Sequence, residues 1–316
     1  MENNKLPYIS VIITACIRKE FLLNAIKSVL NQTLDKKYYE IIVIKNFREE
    51  DIDNFINKNN IIGLLSNQKS LPGKLVEALS CTRGTVLSFL DDDDLFFENK
   101  LEVVYNKFKK DNNIAYYHNL CIPINENGQK LNINNLNTSP DANMSAISIK
   151  KSIVKLNKSD KINGATDALM YLYALESKNR ILNGKETLTY YMFHNSISNF
   201  ISNNFDEYRK FIITQPDLGL NSLIFFKNLV HSKKAINYLN FRITSEQIYK
   251  YIFGANYTPC KLINFIIYNR DGIFNLGSFK YKIELILIYM LIKIYPKSRT
   301  YINKKIWNSY RKSTIR

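Results

Sequence analysis

The sequence has few cysteines, and none of them are paired in a motif. Cys16, Cys81, Cys121 and Cys260 are the four among 316 residues, with no Cys-x-x-Cys between them. This spacing argues against a structural zinc site and against a disulfide framework, and it fits a reducing compartment. No secretory leader is expected either. The first apolar run, Ile9 to Ile17, contains Ser10 and Thr14 and has no basic lead-in, so it reads as a strand. The expected location is therefore the cytosol. A membrane-spanning segment is absent near the end of the chain: the apolar stretch from Ile283 to Tyr295 holds Glu284 and Lys293 and is too short to cross a bilayer. Acids are scarce, 28 against 44 bases, for a formal net charge of +16. Residues 297–316 hold none, while Lys297, Arg299, Lys304, Lys305, Arg311, Lys312 and Arg316 lie there.

Such a charge implies an anionic partner: phosphates, nucleic acid or an acidic membrane surface. No nucleic-acid-binding motif is present, and no nucleic-acid partner is expected. The apolar C-terminal stretch with its basic tail reads in two ways. It is either a helix lying on the cytosolic face of a membrane, which would make the protein peripheral, or a buried helix with a solvated tail. Hydrophobic residues make up 46 % of the chain, so it is globular, with length for one large domain or two smaller ones.

The first 110 residues alternate. "YISVIITACIR" (8–18), "YEIIVIKN" (39–46), "IIGLLSN" (61–67) and "TVLSFL" (85–90) read as strands. Between them lie helical patterns: one over "EFLLNAIKSVLNQ", a short one over 49–58, and one over 71–84, with Pro and Gly in front and Gly84 as a stop. "FFENKLEVVYNKFKK" is expected to be the next helix. The alternation implies an α/β fold with a mostly parallel sheet flanked by helices. Residues 113–124 read as a further strand, 125–128 as a turn, and 129–143 as a polar loop. "MSAISIKKSIVKL" is expected to run from strand into helix, residues 166–179 to be helical and 185–193 to be a strand. Beyond about residue 205 the chain reads as helices, with no repeat.

The densest chemistry is "DDDD", Asp91 to Asp94, directly after the fourth strand. In open α/β sheets ligands bind beyond the carboxyl ends of the strands. Adjacent carboxylates repel by about 1 kcal/mol per pair at about 4 Å in water. A divalent cation removes that cost, and carboxylate oxygens suit Mg²⁺ or Mn²⁺. An acidic cap on the following helix is the bland alternative; one acid would serve for that, and Asp94, the last in the run, is the one expected to do so.

With these residues in view, the chain resembles the inverting glycosyltransferases of family 2, which have the GT-A (Rossmann-like) fold. The resemblance rests on "ISVIITACIRKEFLLNAIKSVLNQT", "YEIIVIKN", "GKLVEALSCTRGTVLSFLDDDDLFFENKLE", "YYHNLCIPINENG", "ATDALMYLYAL" and "LTYYMFHNSISN", in the family's order over roughly residues 8–200. It implies sugar transfer from a nucleotide-sugar donor to a hydroxyl of a glycan or lipid-linked acceptor, with inversion and with Mn²⁺ or Mg²⁺ as cofactor. By position it implies Asp93 as the main metal ligand, with Asp91 and His194, and Asp167 as general base. Asp91 and Asp92 would also contact the ribose. Thr14, Ala15, Arg18, Asn46, Lys74 and His194 would line the donor site. The implied organisation is a GT-A domain over 1–205 and a helical C-terminal region over 206–316.

The chain departs from the family where the second strand ends. Lys45, Asn46 and Phe47 stand where Asp-Asp-Gly-Ser is usual, and Thr166 stands where Glu often precedes the catalytic Asp. The Asn46 amide still offers a donor and an acceptor to a base edge. These departures leave a second reading open: a catalytically silent protein of the same fold that binds a nucleotide-sugar or a glycan.

Overall fold

The computed structural model describes residues 6–16, 19–131, 139–156, 162–194, 202–214, 218–256 and 279–314. It divides into two compact units, Met1–Ile124 with Pro140–Met192, and Asn125–Ser139 with Phe193–Arg316.

The first unit is built on an eight-stranded mixed sheet. Its strands are β1 Ile9–Ala15, β2 Tyr39–Lys45, β3 Ile62–Leu65, β4 Val86–Asp91, β5 Leu95–Phe96, β6 Ile114–Ile124, β7 Ile147–Lys150 and β8 Arg180–Met192. Their order is β3-β2-β1-β4-β7-β6-β8-β5. The pairs β1–β2, β1–β4, β2–β3 and β6–β8 are parallel, and β4–β7, β6–β7 and β5–β8 are antiparallel. The expected α/β fold is present, with antiparallel pairing confined to the half that follows β4.

Helices α1 Lys19–Leu30, α2 Glu50–Lys58, α3 Leu71–Cys81, α4 Lys100–Lys110 and α5 Thr166–Glu176 flank the sheet. Strand periodicity explains the layering. Ile9, Val11, Ile13 and Ala15 of β1, with Tyr39, Ile41 and Val43 of β2, face one core. Leu22, Ala25, Ile26 and Val29 of α1, Ile52 and Ile56 of α2, and Leu101, Val104 and Phe108 of α4 close over the same core. Ile12, Ile42 and Ile44 alternate to the opposite face and are equally buried. Strands buried on both sides are mostly apolar, which is why β1 and β2 read as near-continuous runs, with Ser10, Glu40 and Lys45 the buried polar exceptions.

Three expectations are corrected. The helix over "FFENKLEVVYNKFKK" starts only at Lys100, because Leu95 and Phe96 pair with Tyr190 and Thr189 as an edge strand and the Phe96 N–H donates to Ser28 Oγ. β7 leads not into an α-helix but into one 3₁₀ turn, Lys151–Ile153. β8 begins at Arg180, five residues early, because it runs in parallel with the whole of β6, with register shifts near Ala115, Asn119 and Leu120.

At the amino ends of β1 and β4, Gly84 lies against the backbone of β1. A buried network ties this end together. Ser10 Oγ donates to Glu40 Oε1 at 2.6 Å, and the Arg83 N–H and guanidinium donate to the same carboxylate at 2.6 and 2.7 Å. Burial by itself would raise the Glu40 pKa; the hydrogen bonds from Ser10 and Arg83 outweigh it and hold the carboxyl below its ordinary value. The Gly84 N–H donates to Ser10 Oγ at 2.9 Å.

The second unit is helical: α6 Phe205–Thr214, α7 Leu218–Phe226, α8 Lys233–Phe253, α9 Phe279–Ile294 and α10 Arg299–Thr314. α8 is its centre, touched by each of the others. Ser232 caps its start by accepting the Ala235 N–H at 3.2 Å. Gly254 ends it in the left-handed region, with φ 103°, where a side chain would be strained. No helix among the described residues is long and apolar enough to cross a membrane.

A Cβ at position 84 would lie 2.5 Å from Ser10 N and 2.7 Å from the Ile9 carbonyl carbon, both backbone atoms. Gly84→Ala is therefore expected to lower the free energy of unfolding by about 2–3 kcal/mol, measured by urea denaturation. An unchanged midpoint would refute the close packing of β1 on this turn.

Candidate active site

The carboxyl ends of β1, β2 and β4 come to one edge because the three strands are parallel, with Thr14 in register with Asp91 and Ala15 with Lys45. The acids follow directly. They do not continue the strand: the Asp94 N–H bonds back to the Asp91 carbonyl at 3.2 Å, closing a turn. Side chains therefore do not alternate across a sheet here, and each acid meets different surroundings.

Asp91, half-buried, accepts from Thr14 Oγ1 at 3.4 Å. Asp92 is buried and its Oδ2 accepts the Cys16 N–H at 2.9 Å, which fastens the acidic turn to the end of β1. Asp93 is 9 % exposed. Asp94 is not the helix-capping acid expected of the last in the run. It is buried, its Oδ1 accepts the Met192 N–H at 2.8 Å, and its Oδ2 is buried without a hydrogen-bond partner. Burial, with the charges of Asp93 and Asp91 beside it, pushes its carboxyl well above the usual carboxylate range, so the protonated form is favoured.

A second layer holds the turn from behind. β4 and β7 run antiparallel with Ser88 opposite Ser148. Three residues forward on β4 and three back beyond β7 bring Ser145 to Asp91, whose N–H donates to Ser145 Oγ at 2.9 Å. Asn143, with φ 62°, orients that serine by accepting its N–H at 2.8 Å. The Ser145 carbonyl accepts from Lys100 Nζ and, at 3.1 Å, from Thr189 Oγ1. Lys100 is wholly buried, also donates to Thr189 Oγ1 at 3.1 Å, and sits over the Phe96 ring at 3.8 Å. Burial lowers its pKa to about 7, against the opposing pull of Cys121 and Asp94. Ser145, Thr189 and Asn143 carried no signal in the sequence. Lys100 carried one, as the lysine of the Lys-Leu-Glu that follows the acids, though with no role attached.

The other expected residues fall as follows. Ala15 ends β1, and its carbonyl accepts from Lys74 Nζ at 2.9 Å. Lys74 lies near the start of α3, buried, and also reaches Cys16 Sγ at 2.9 Å. Asn46 is exposed just past β2. Its neighbour Lys45 turns inward, paired with Asp53 at 2.6 Å and donating to the Phe47 carbonyl at 2.6 Å. Asp167 stands in the first turn of α5, half-buried, and its Oδ1 accepts the Ala168 N–H at 2.9 Å. Ala165, just before that helix, has φ 54°, a left-handed conformation that is uncommon for a residue with a Cβ. Burial raises the Tyr116 hydroxyl well above its ordinary pKa, with Asp141, Tyr171 and Asp167 adding to it, so these groups share one neighbourhood. His194 lies two residues past β8, in the second unit. Arg18 lies outside the described residues. His118 is structural: buried on β6, its Nε2 is 2.9 Å from the Ala142 carbonyl. Burial lowers its pKa to about 4.

Among the described residues no three His, Cys, Asp or Glu side chains form a metal-binding group. Asp91 and Asp93 lie in the same turn as Asp92, which accepts the Cys16 N–H, and the buried Asp94. Two carboxylates fit a cation of the Mg²⁺ type, which takes one or two from the protein and its remaining ligands from substrate phosphates and water.

An α/β sheet whose central parallel strands end in an acidic turn has its ligand-binding edge there. The glycosyl transferase family 2 profile matches residues 10–175, more than half of the chain, and the chain belongs to that family. It is similar to an uncharacterized glycosyltransferase of Rickettsia bellii (strain RML369-C), 35 % identical over 127 residues, or 39 % of this chain and 18 % of the relative. A second, from Rickettsia conorii (strain ATCC VR-613 / Malish 7), is 34 % identical over 125 residues, or 38 % and 20 %. The match thus spans about a fifth of these relatives' length. Among solved structures, S. aureus TarS gives a TM-score of 0.54 at 12 % identity, over 94 % of this chain and 54 % of that one. TarS 1–349 in complex with UDP-GlcNAc gives 0.53 at 13 %, over 97 % and 92 %. At such identities the likeness shows the GT-A fold alone.

Two outcomes are expected from this geometry. Asp94→Asn, which mimics a protonated acid, should leave the melting temperature within a few degrees of the parent, whereas Asp94→Leu should lower it markedly because the Met192 N–H loses its acceptor. Equal losses from both would show that Asp94 is held as the anion. For His118 the unfolded pKa is near 6.5 and the folded value near 4, so its stabilising contribution is complete above about pH 6.5 and is lost as the pH falls through about 4. Chemical denaturation of the parent and of His118→Gln should diverge by up to about 3 kcal/mol across that window. Parallel curves would contradict the depressed pKa.

Proposed function

We propose that this chain transfers a sugar from a nucleotide-sugar donor to a hydroxyl of a glycan or lipid-linked acceptor, with inversion at the sugar carbon. The acceptor reaction is placed at the cytosolic face of a membrane. The single observation that carries this reading is the acidic turn fastened to the carboxyl end of β1, in a chain of glycosyl transferase family 2. We assign the transfer site to residues 1–205 and regard 206–316 as a helical C-terminal region.

Asp93 and Asp91 would hold Mn²⁺ or Mg²⁺ at the turn, the one or two protein carboxylates that such an ion takes. When bound, such an ion offsets the charge that develops on the departing nucleoside diphosphate. Asp92 supports the turn or the ribose. Thr14 and Ala15 border the base, and the exposed Asn46 amide reads its edge. Lys74, buried against Ala15 and Cys16, brings positive charge to the floor beneath the donor phosphates. Arg18 and His194 complete the donor set. Asp167 acts as general base: it takes the acceptor hydroxyl proton as the oxygen attacks the sugar carbon and the bond to the diphosphate breaks.

The Lys45–Asn46–Phe47 end of β2 favours one other reading, a silent protein that binds a nucleotide-sugar or glycan without turnover. Donor hydrolysis and transfer across a panel of nucleotide sugars with Mn²⁺ separate the two. A matching nucleoside diphosphate should raise the melting temperature only when Mn²⁺ is present, by an amount equivalent to about 2.7 kcal/mol at a hundredfold excess over Kd. Asp93→Ala should abolish that shift. Asp167→Asn should keep it and lose about 10²–10⁴-fold in turnover. A metal-dependent shift with no turnover on any donor would establish the silent reading, and full activity in Asp167→Asn would remove the base assignment.

A further inference from the structure

α9, Phe279–Ile294, is apolar on two opposite faces. Leu285, Tyr289 and Ile292 are buried, and Tyr289 packs on Tyr251 of α8 with ring centroids 4.9 Å apart. At 100° per residue these three positions cluster on one side of the helix. Leu287, Met290, Leu291 and Ile294 recur at i, i+3, i+4 and i+7 and cluster on the other side. They are 61 %, 42 %, 49 % and 77 % exposed, and Tyr295 beyond them is 57 % exposed. A helix that served only to close the second unit would need the first stripe alone, and a contiguous apolar surface in water marks an interaction site.

The charge around the stripe selects its partner. Glu284 is the last acid in the chain; from Leu285 to Arg316 there are eight Lys and Arg and no Asp or Glu. Lys293 and Lys297 at the end of α9, and Lys304 and Lys305 on α10, are exposed. Tyr301 on α10 is 72 % exposed, an amphipathic ring of the kind that settles at headgroup depth. Apolar side chains at the centre, with lysines and tyrosines at the carboxyl end and the one acid, Glu284, exposed at the other, match a bilayer with anionic headgroups: chains below, negative charge at the surface. α9 is too short and too charged to cross such a bilayer.

We propose that the outward stripe of α9 seats the protein on an anionic membrane surface, with Leu287, Met290, Leu291 and Ile294 entering the headgroup layer and the lysines of α9 and α10 on the phosphates. The inference extends the proposed reaction at a membrane by naming the docking face, and its test reads binding alone.

The full chain is mixed with vesicles of phosphatidylcholine, and with vesicles that also contain phosphatidylglycerol, and sedimented. Binding to the anionic vesicles should be about tenfold tighter or more, and should weaken as salt is raised. Leu287→Ser with Leu291→Ser should weaken it about tenfold or more, with an unchanged melting temperature because both side chains are exposed. Lys304→Gln with Lys305→Gln should reduce the preference for anionic over neutral vesicles. Equal affinity for the two vesicle types, or full binding by the Leu variant, overturns the proposal. A lipid-free dimer that the Leu variant abolishes, with no vesicle binding by the parent, assigns the face to a second copy and overturns it as well. Hydrolysis of a soluble donor is followed in parallel, so loss of vesicle binding with hydrolysis retained is distinguished from failure of the transfer reading.

Discussion

Four carboxylates in a row cannot share one environment, and the first unit is organised around separating them. Asp92 is held by the Cys16 N–H and Asp94 by the Met192 N–H. Asp91 accepts from Thr14 Oγ1, and Asp93 lies buried in the same turn. The two backbone donors stand at or just beyond the ends of β1 and β8, so one short turn gathers two parts of the sheet. Repulsion that would be costly in a strand is offset by the hydrogen bond to Asp92 in one case and shows as a raised carboxyl pKa at buried Asp94 in another.

The same constraint explains the buried polar layer behind the turn. Ser145 is fixed from both sides, its hydroxyl taking the Asp91 N–H and its carbonyl taking Lys100 and Thr189. Lys100 thus lies on the core side of an acidic cluster without being an exposed counter-charge. Its Nζ donates to the Ser145 carbonyl and the Thr189 hydroxyl, and burial lowers its pKa to about 7. A donor diphosphate site needs a floor that fixes its carboxylates in place, and the Ser145 contacts supply one from the core side.

The strands of the first half and the acidic turn were legible because their signals are local. β-branched runs buried on both faces, helical stripes between them and an uninterrupted acid run all lie within short windows. Phe96 and Phe97 read as the start of a helix because two aromatics before a helical stripe look continuous with it; pairing of Phe96 with β8, over ninety residues on, decides otherwise. Asp94 was read as a cap for the same reason. Nothing near it in sequence reveals that the Met192 N–H is its partner. Ser145 and Thr189 are ordinary residues until the antiparallel return of β7 and the course of β8 place them beneath Asp91.

By itself the sequence determined the α/β alternation, the position of the acids at a strand end and the excess of positive charge near the C-terminus, because hydrophobic period, residue type and charge are properties of the chain. Only the tertiary structure decided which of the four acids is spent on the backbone and which remains at the turn, that Lys74 and Lys100 face inward, and that α9 carries one apolar stripe inward and another toward solvent. Each of those outcomes depends on a partner distant along the chain, or on which face of a helix its neighbours cover, and neither is written in local spacing.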